Sequence, residues 1–270
     1  MDIRKVLSTE EVAQYHRDGF LVPKYRFSAE IVKKLQKLTR QLVADNPEAL
    51  DGIGSPHLKN ARSNQQVKTE DGWLDIAAHP DMIDIVAQLI GPDVVLWAST
   101  LFYKEPKKGI ATPWHRDAAF YPIEPNATTT VWIAVFDSVK ENGCLRAIPG
   151  SHLSQEVGAH REGHWKEKGT GGSLIDIDES TAVDVELSPG QMVIFDVYTT
   201  HGSWPNLGTR ERAGYAVRFF PATSYYDHDA DDENYKVAGG VGNRELILVK
   251  GEDRAGNRFG SVSKITESVE

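Results

Sequence analysis

Apolar residues along this chain change their spacing near Val94, and that change constrains the fold more than any other feature. Before it they recur at helical intervals. After it they fall into short β-branched and aromatic runs separated by turns. Ser8 and Glu11 form a capping box that predicts a helix over 8–18, and Gly19 can end it. Phe20-Leu21-Val22 follows as a short strand. Ile31, Leu35, Leu38 and Leu42 make one stripe of a second helix, from Ser28 to about Asp45. A third helix is expected over 81–90, between Pro80 and Gly91. Strands are expected at 94–97, 101–103, 128–136, 144–148, 183–187, 191–197, 215–220 and 245–249. Asn142-Gly143 is a strong turn signal, with Cys144–Ile148 returning from it. Helices first, then many strands, argue for an α+β chain with a barrel or sandwich core. One domain of 270 residues is expected: a helical part over 1–92, a barrel over 93–222 and a tail over 223–270. The Gly-, Pro- and polar-rich stretches 46–72 and 153–182 read as loops able to act as lids.

Composition limits what such a chain can do. Hydrophobic residues make up 40% and charged ones 26%, enough to bury a sizeable core. A net charge of −9 argues against a nucleic-acid partner, which needs a basic surface. No apolar run reaches the length of a membrane-spanning helix, and the N-terminus carries no signal-peptide core. Cys144 is the only cysteine, so no intramolecular disulfide can form, which suits the cytoplasm.

The chemistry is concentrated in Thr112-Pro113-Trp114-His115-Arg116-Asp117. On extended backbone, side chains two apart share a face, so His115 and Asp117 aim at one point. His201 lies far downstream, after a strand ending in Phe195-Asp196. Two histidines and one carboxylate are the facial triad that holds non-haem Fe(II) and leaves positions open for substrate and O2. A lone His-x-Asp arises often by chance. The strand-rich setting, the second histidine and an arginine, Arg212, at the start of the next strand make the pattern more specific.

At these residues the sequence resembles the phytanoyl-CoA dioxygenase-like (PhyH) family of Fe(II)/2-oxoglutarate oxygenases. The resemblance runs from about Ser8 to Pro221. It is carried by Asp18–Val22, Phe102-Tyr103-Lys104, Trp114–Asp117, Trp132–Val135, Asn142–Leu145, Ile148–His152, and His201-Gly202-Ser203 with Asn206 and Arg212. It implies a double-stranded β-helix, a cupin-like jelly roll flanked by N-terminal helices, with iron in its mouth. It implies that His115, Asp117 and His201 ligate the metal and that Arg212 grips the distal carboxylate of 2-oxoglutarate, aided by Ser203 and Trp132. A planar guanidinium suits that role because it donates two parallel hydrogen bonds to a carboxylate. The family pattern has Gln where this chain has Arg116, a position that on a strand points away from the metal. Asp117 occupies the place where halogenating relatives have a small residue, so the resemblance implies hydroxylation, with release of succinate and CO2.

The substrate is less constrained. His57, Lys59, Arg62, Asn64, Tyr103, Phe120, Tyr121 and Arg218 are the candidates to face it. Cationic groups around a mouth favour a small polar or anionic molecule, a secondary metabolite or aminoalkylphosphonate-like, as Arg218–Ser224 resembles bacterial members acting on such metabolites. The competing reading for these charges is solvated loop. A non-redox cupin-like binding protein is the alternative in another class, and Arg212 is the feature it does not need. A zinc hydrolase would need a general base near the metal, and none stands out. His152, His160, His164, His79 and His16 are read as structural or surface residues, and Asp227-His228-Asp229 as a solvated acidic run.

Overall fold

The computed structural model describes residues 3–49, 52–59, 67–157, 160–161, 173–174, 177–231 and 240–260, with 160–161 and 173–174 by backbone alone. Helix α1 (Thr9–Asp18) carries both halves of the expected capping box, and Gly19 ends it at φ +80°. Helix α2 (Ala29–Asp45) is capped by Ser28 and buries Leu35, Thr39 and Leu42. Helix α3 (Trp73–Ala77) is too short to leave a periodic signal, and the sequence reading did not find it. Helix α4 (Pro80–Ile90) is capped by His79, whose side chain accepts from the Asp81 amide. Among the described residues no helix is long and apolar enough to cross a membrane.

The strands are β1 (Phe20–Leu21), β2 (Ile53–Gly54), β3 (Val94–Lys104), β4 (Thr112–His115), β5 (Ile123–Glu124), β6 (Thr129–Ala134), β7 (Leu145–Ala147), β8 (His160–Arg161), β9 (Ser173–Leu174), β10 (Val183–Val185), β11 (Met192–Asp196), β12 (His201–Ser203), β13 (Arg212–Pro221), β14 (Tyr225–Tyr226) and β15 (Ile247–Lys250). The two stretches expected at 94–97 and 101–103 are one strand, β3. A larger sheet has the order β1-β11-β6-β13-β3-β15, with β2 also on β3. A smaller sheet has the order β10-β7-β12-β4, and β14-β5 and β8-β9 are separate two-stranded pairs. The ladders are antiparallel throughout. The two sheets make a double-stranded β-helix.

Asn142-Gly143 does not close a hairpin. Strand β6 belongs to the larger sheet and β7 to the smaller, so this turn carries the chain from one sheet to the other. The Asn142 side chain accepts from the Val139 amide, and Gly143 takes φ +93°.

Period-two alternation splits the larger sheet into two chemical faces. Leu101, Val131, Ile133, Ile194, Ala213, Tyr215, Val217 and Phe219 pack outward against the helices, around Leu35, Trp73, Ile83 and Val86. Trp132, Ala134, Val193, Phe195 and Ala216 face inward and meet Ala147, Val185 and Leu145 of the smaller sheet. Register fixes which inner residues are neighbours: Lys104 pairs with Arg212, Phe102 with Gly214, Thr100 with Ala216 and Ala98 with Arg218. An irregularity follows between Arg218 and Phe219.

Helix α1 and β1 are tied into this frame by polar contacts. The Tyr15 hydroxyl donates to Thr129 Oγ1 at 2.9 Å, which donates onward to the Phe195 carbonyl. The Gly19 carbonyl accepts from the Asp196 amide and from Thr199 Oγ1. Beyond the barrel, Val241 and Leu246 are buried, so residues 241–248 cover part of it. His228 is buried there, with Nε2 bonded to the Arg244 carbonyl. The reading of Asp227-His228-Asp229 as a solvated run therefore fails at its central residue: burial of its imidazole beside Tyr226 outweighs the local charge.

Candidate metal centre and keto-acid pocket

Strands β4 and β12 are neighbours, and their register sets His115 directly opposite His201. Opposed residues on adjacent strands share a face, and the two imidazole centroids lie 4.2 Å apart. Asp117 comes from the short 3-10 turn over Asp117–Phe120, reached through extended backbone at Arg116. The carboxylate thus returns to the histidine face. His115 Nε2 is 3.6 Å from Asp117 Oδ1, and one donor atom from each of the three residues lies within 4.8 Å of the others.

Both imidazoles are held in the same tautomer by the same device. His115 Nδ1 sits 2.8 Å from the Pro113 carbonyl and His201 Nδ1 sits 2.9 Å from the Thr199 carbonyl. A carbonyl only accepts, so each Nδ1 carries the hydrogen and each Nε2 offers a lone pair. Such outer hydrogen bonds orient histidine ligands on a metal. Burial pushes His115 down to about 4, with His201 adding to the effect. Burial alone would raise the Asp117 carboxyl, but His201, Arg218 and His115 hold it below the ordinary carboxylate range. Asp117 Oδ2 is buried without a hydrogen-bond partner. Two imidazoles held by carbonyls at Nδ1 and a carboxylate held below its ordinary range fit a divalent metal. Arg116 turns the other way, donating to Thr200 Oγ1, Ser154 Oγ and the Glu156 carbonyl.

Next to this centre a second set of groups waits for an anion. Arg212 is 2% exposed, lies over the Trp132 ring at 4.6 Å, and has Nε and Nη2 without partners. Burial lowers its pKa to about 10. Gly214 makes this stack possible, because a Cβ there would lie 1.7 Å from Trp132 Cζ2. Lys104, paired with Arg212 across the sheet, donates from Nζ to Ser203 Oγ at 2.7 Å and to the Trp204 carbonyl. Ser203 Oγ also accepts from the Thr112 amide at 3.3 Å. A hydroxyl has two acceptor sites and one donor. With both acceptor sites used, its O–H is left to donate to a ligand. A buried guanidinium, an ammonium and a hydroxyl donor fit a carboxylate. Lys104 is not among the sequence-derived site residues; its alternation with Phe102 and Thr100 on β3 is the signal that points to it.

The residues expected to face substrate divide. Arg218 points inward, donating from Nε to the Tyr121 hydroxyl at 2.7 Å and from Nη1 to Thr100 Oγ1 at 3.0 Å. Its Nε is 4.0 Å from Asp117 Oδ2. Phe120 is half-buried in the turn that begins at Asp117. His57 is buried, with Nδ1 2.6 Å from Ser99 Oγ and Nε2 unpartnered. Tyr103 is a correction: it alternates to the outer face, packs with the helix-side core and donates to Glu211 at 2.8 Å. Its neighbour Phe102 faces the barrel. Lys59 is exposed and paired with Asp71, as a solvated loop charge would be. Arg62 and Asn64, His164 and the central parts of both expected lids lie outside the described residues.

A jelly roll with two histidines and a carboxylate brought together, beside a buried guanidinium with unpartnered N–H groups, matches a class of non-haem iron oxygenase. The comparisons agree. The family model of phytanoyl-CoA dioxygenase (PhyH) matches residues 15–214. The ectoine dioxygenase of Sphingopyxis alaskensis is 28% identical over 226 residues, covering 77% of this chain and 74% of the relative. A phytanoyl-CoA dioxygenase domain-containing protein 1 homolog of Dictyostelium discoideum is 31% identical over 269 residues, covering 83% and 95%. The solved structure of CytC3 with Fe(II) and alpha-ketoglutarate is similar at a TM-score of 0.66 and 25% identity, covering 95% of this chain and 94% of that one. The chain belongs to the phytanoyl-CoA dioxygenase family. It is a dioxygenase dependent on Fe(II), 2-oxoglutarate and O2, which sets aside the non-redox and zinc-hydrolase alternatives.

Proposed function

We propose that this dioxygenase hydroxylates an unactivated C–H bond of a small polar, anionic metabolite, releasing succinate and CO2. The observation that carries the reading is the convergence of His115, Asp117 and His201 within 4.8 Å, next to a buried guanidinium with two unpartnered N–H groups. His115, Asp117 and His201 are the proposed ligands, with both imidazoles offering Nε2. When bound, the iron supplies the redox chemistry that couples O2 reduction to decarboxylation of the keto acid. Arg212, with Ser203 and Lys104, holds the distal carboxylate and so fixes where the keto-acid end lies. Trp132 walls that pocket and keeps Arg212 in place from below. Phe195, whose ring lies 4.4 Å from His201, excludes water from the inner side. Arg218, Tyr121, Phe120 and His57 form the proposed substrate side.

The test is 2-oxoglutarate-dependent succinate formation after anaerobic addition of Fe(II), repeated with His115→Ala. Loss of one ligand of three should weaken metal binding by more than the roughly 10- to 100-fold that loss of an outer partner costs. Turnover should disappear with it. An unchanged metal affinity in His115→Ala would refute the ligand assignment.

A further inference from the structure

The two oxygens of Asp117 face different neighbours. Oδ1 is the one near the histidines, 3.6 Å from His115 Nε2. Oδ2 is buried, accepts no hydrogen bond, and has Arg218 Nε 4.0 Å away. The Arg218 and Asp117 side chains are 11% and 7% exposed. An ion pair in such surroundings is screened far less than one at the surface. The carboxylate is thus oriented by the protein itself, one oxygen toward the imidazoles and the other toward the guanidinium.

Arg218 is fixed in turn from two sides. Its Nη1 donates to Thr100 Oγ1 at 3.0 Å, and its Nε donates to the Tyr121 hydroxyl at 2.7 Å. Burial alone would lower its pKa, but Tyr121 and Asp117 raise it, so the charge is firmly held. The Tyr121 hydroxyl accepts from Arg218 and keeps its own hydrogen. Against the effect of burial, Tyr121 joins His201, Arg218 and His115 in holding the Asp117 carboxyl low. Behind Tyr121 stands Trp97, edge-on at 4.6 Å, with the buried guanidinium of Arg244 5.9 Å from the Trp97 ring centre. Arg218 also stands apart from the keto-acid pocket. It shares a face of β13 with Arg212 but lies six residues further on, about 20 Å at 3.3 Å per residue. One strand thus carries an arginine at each end of the site.

Resting on the ligand assignment proposed above, we propose that Arg218 is a positioning residue for Asp117. With Tyr121 as its partner it keeps Oδ2 on the protein side, so that Oδ1 alone is offered to the metal. A carboxylate can give a metal one oxygen or two. The one-oxygen form leaves a further coordination position open, and a centre that must take both a keto acid and O2 needs it. Arg218 therefore acts on the reaction through Asp117, without touching the reacting atoms.

The experiment titrates the full, metal-free chain anaerobically with Co(II) by calorimetry and records visible absorption at saturation, which reports the number and arrangement of ligand atoms. Arg218→Met should weaken Co(II) binding by about 10- to 100-fold, the cost of losing an outer partner of a metal ligand, and should shift the visible bands. Arg218→Lys keeps the charge and loses the fork, and should fall between that variant and wild type. Tyr121→Phe keeps the ring and removes the hydroxyl, and should weaken binding in the same direction by less. Wild-type affinity and unshifted bands in Arg218→Met would overturn the proposal even if that variant melted lower without metal, because its role would then be structural only. If Arg218→Met does not fold, Tyr121→Phe decides: wild-type affinity and bands there overturn the proposal. Failure of the wild type to bind Co(II) counts against the ligand assignment instead, so the two failures are distinguishable.

Discussion

Replacing Arg212 with methionine should move stability and ligand binding in opposite directions. The folded chain holds this guanidinium buried, with its pKa lowered by burial to about 10. At about 1.36 kcal/mol per unit, the charge costs the folded state about 3 kcal/mol. The unfolded chain binds the proton more tightly, so this cost is present in full below pH 10 and fades as pH rises above it. Methionine keeps an unbranched stem and removes the charge. It also gives up the stack on Trp132, worth about 1–2 kcal/mol. The ligand-free variant should therefore gain about 1–2 kcal/mol. At about 2–4 °C per kcal/mol, Tm should rise by roughly 2–8 °C. With 2-oxoglutarate the order reverses. A ligand at about 100 times its Kd stabilises the wild type by about 2.7 kcal/mol, or roughly 5–10 °C. Removing one partner of a buried charged pair costs about 2–5 kcal/mol, enough to erase that gain. The assay is thermal unfolding of the Ni(II)-loaded protein with and without 2-oxoglutarate. A variant that is less stable than wild type without ligand, or that keeps the ligand-induced rise, would refute the reasoning.

Two further tests address neighbouring features. Gly214→Ala would drive a methyl into Trp132, costing about 1–3 kcal/mol as over-packing, and should weaken 2-oxoglutarate binding by displacing the ring under Arg212; calorimetric titration checks it. His57 is lowered from 6.5 to about 3 by burial, with Arg244 contributing, so its imidazole is protonated in the unfolded chain before the folded one. The stability it contributes is complete above pH 6.5 and drains away as pH falls toward 3, by about 2 kcal/mol between pH 6.5 and 5. Urea midpoints at the two pH values should converge on those of His57→Gln by that amount, and parallel pH profiles would show the effect lies elsewhere.

What the sequence revealed was whatever depends on neighbours along the chain. The Ser8–Glu11 box and the stripe of α2 are local patterns that the fold uses as expected, whereas His115 and Asp117 converge through a 3-10 turn that begins at Asp117 rather than along one continuous strand. Face and pairing were harder. Tyr103 is a candidate by its place at a strand end, but its facing depends on the register with β13, where Lys104 opposes Arg212 and puts Tyr103 on the other side. The Asn142-Gly143 turn looks the same in sequence whether it closes a hairpin or changes sheets. Arg244 was hidden more deeply, because nothing near it in sequence indicates that the segment folds back over Trp97 and Ser55. Burial of a cation by a distant segment leaves no periodic trace.

The carbonyl of Gly19, at the end of the first helix, reaches across the molecule to the loop that ends at His201. It anchors Thr199, whose own carbonyl sets the tilt of the second imidazole. A chain begun after β1 would still encode every proposed ligand and the complete barrel strands beyond it. It would nevertheless lack the peg on which that ring hangs, so the opening helix helps to orient a proposed metal ligand from a distance, and domain boundaries drawn at the barrel would cut through that support.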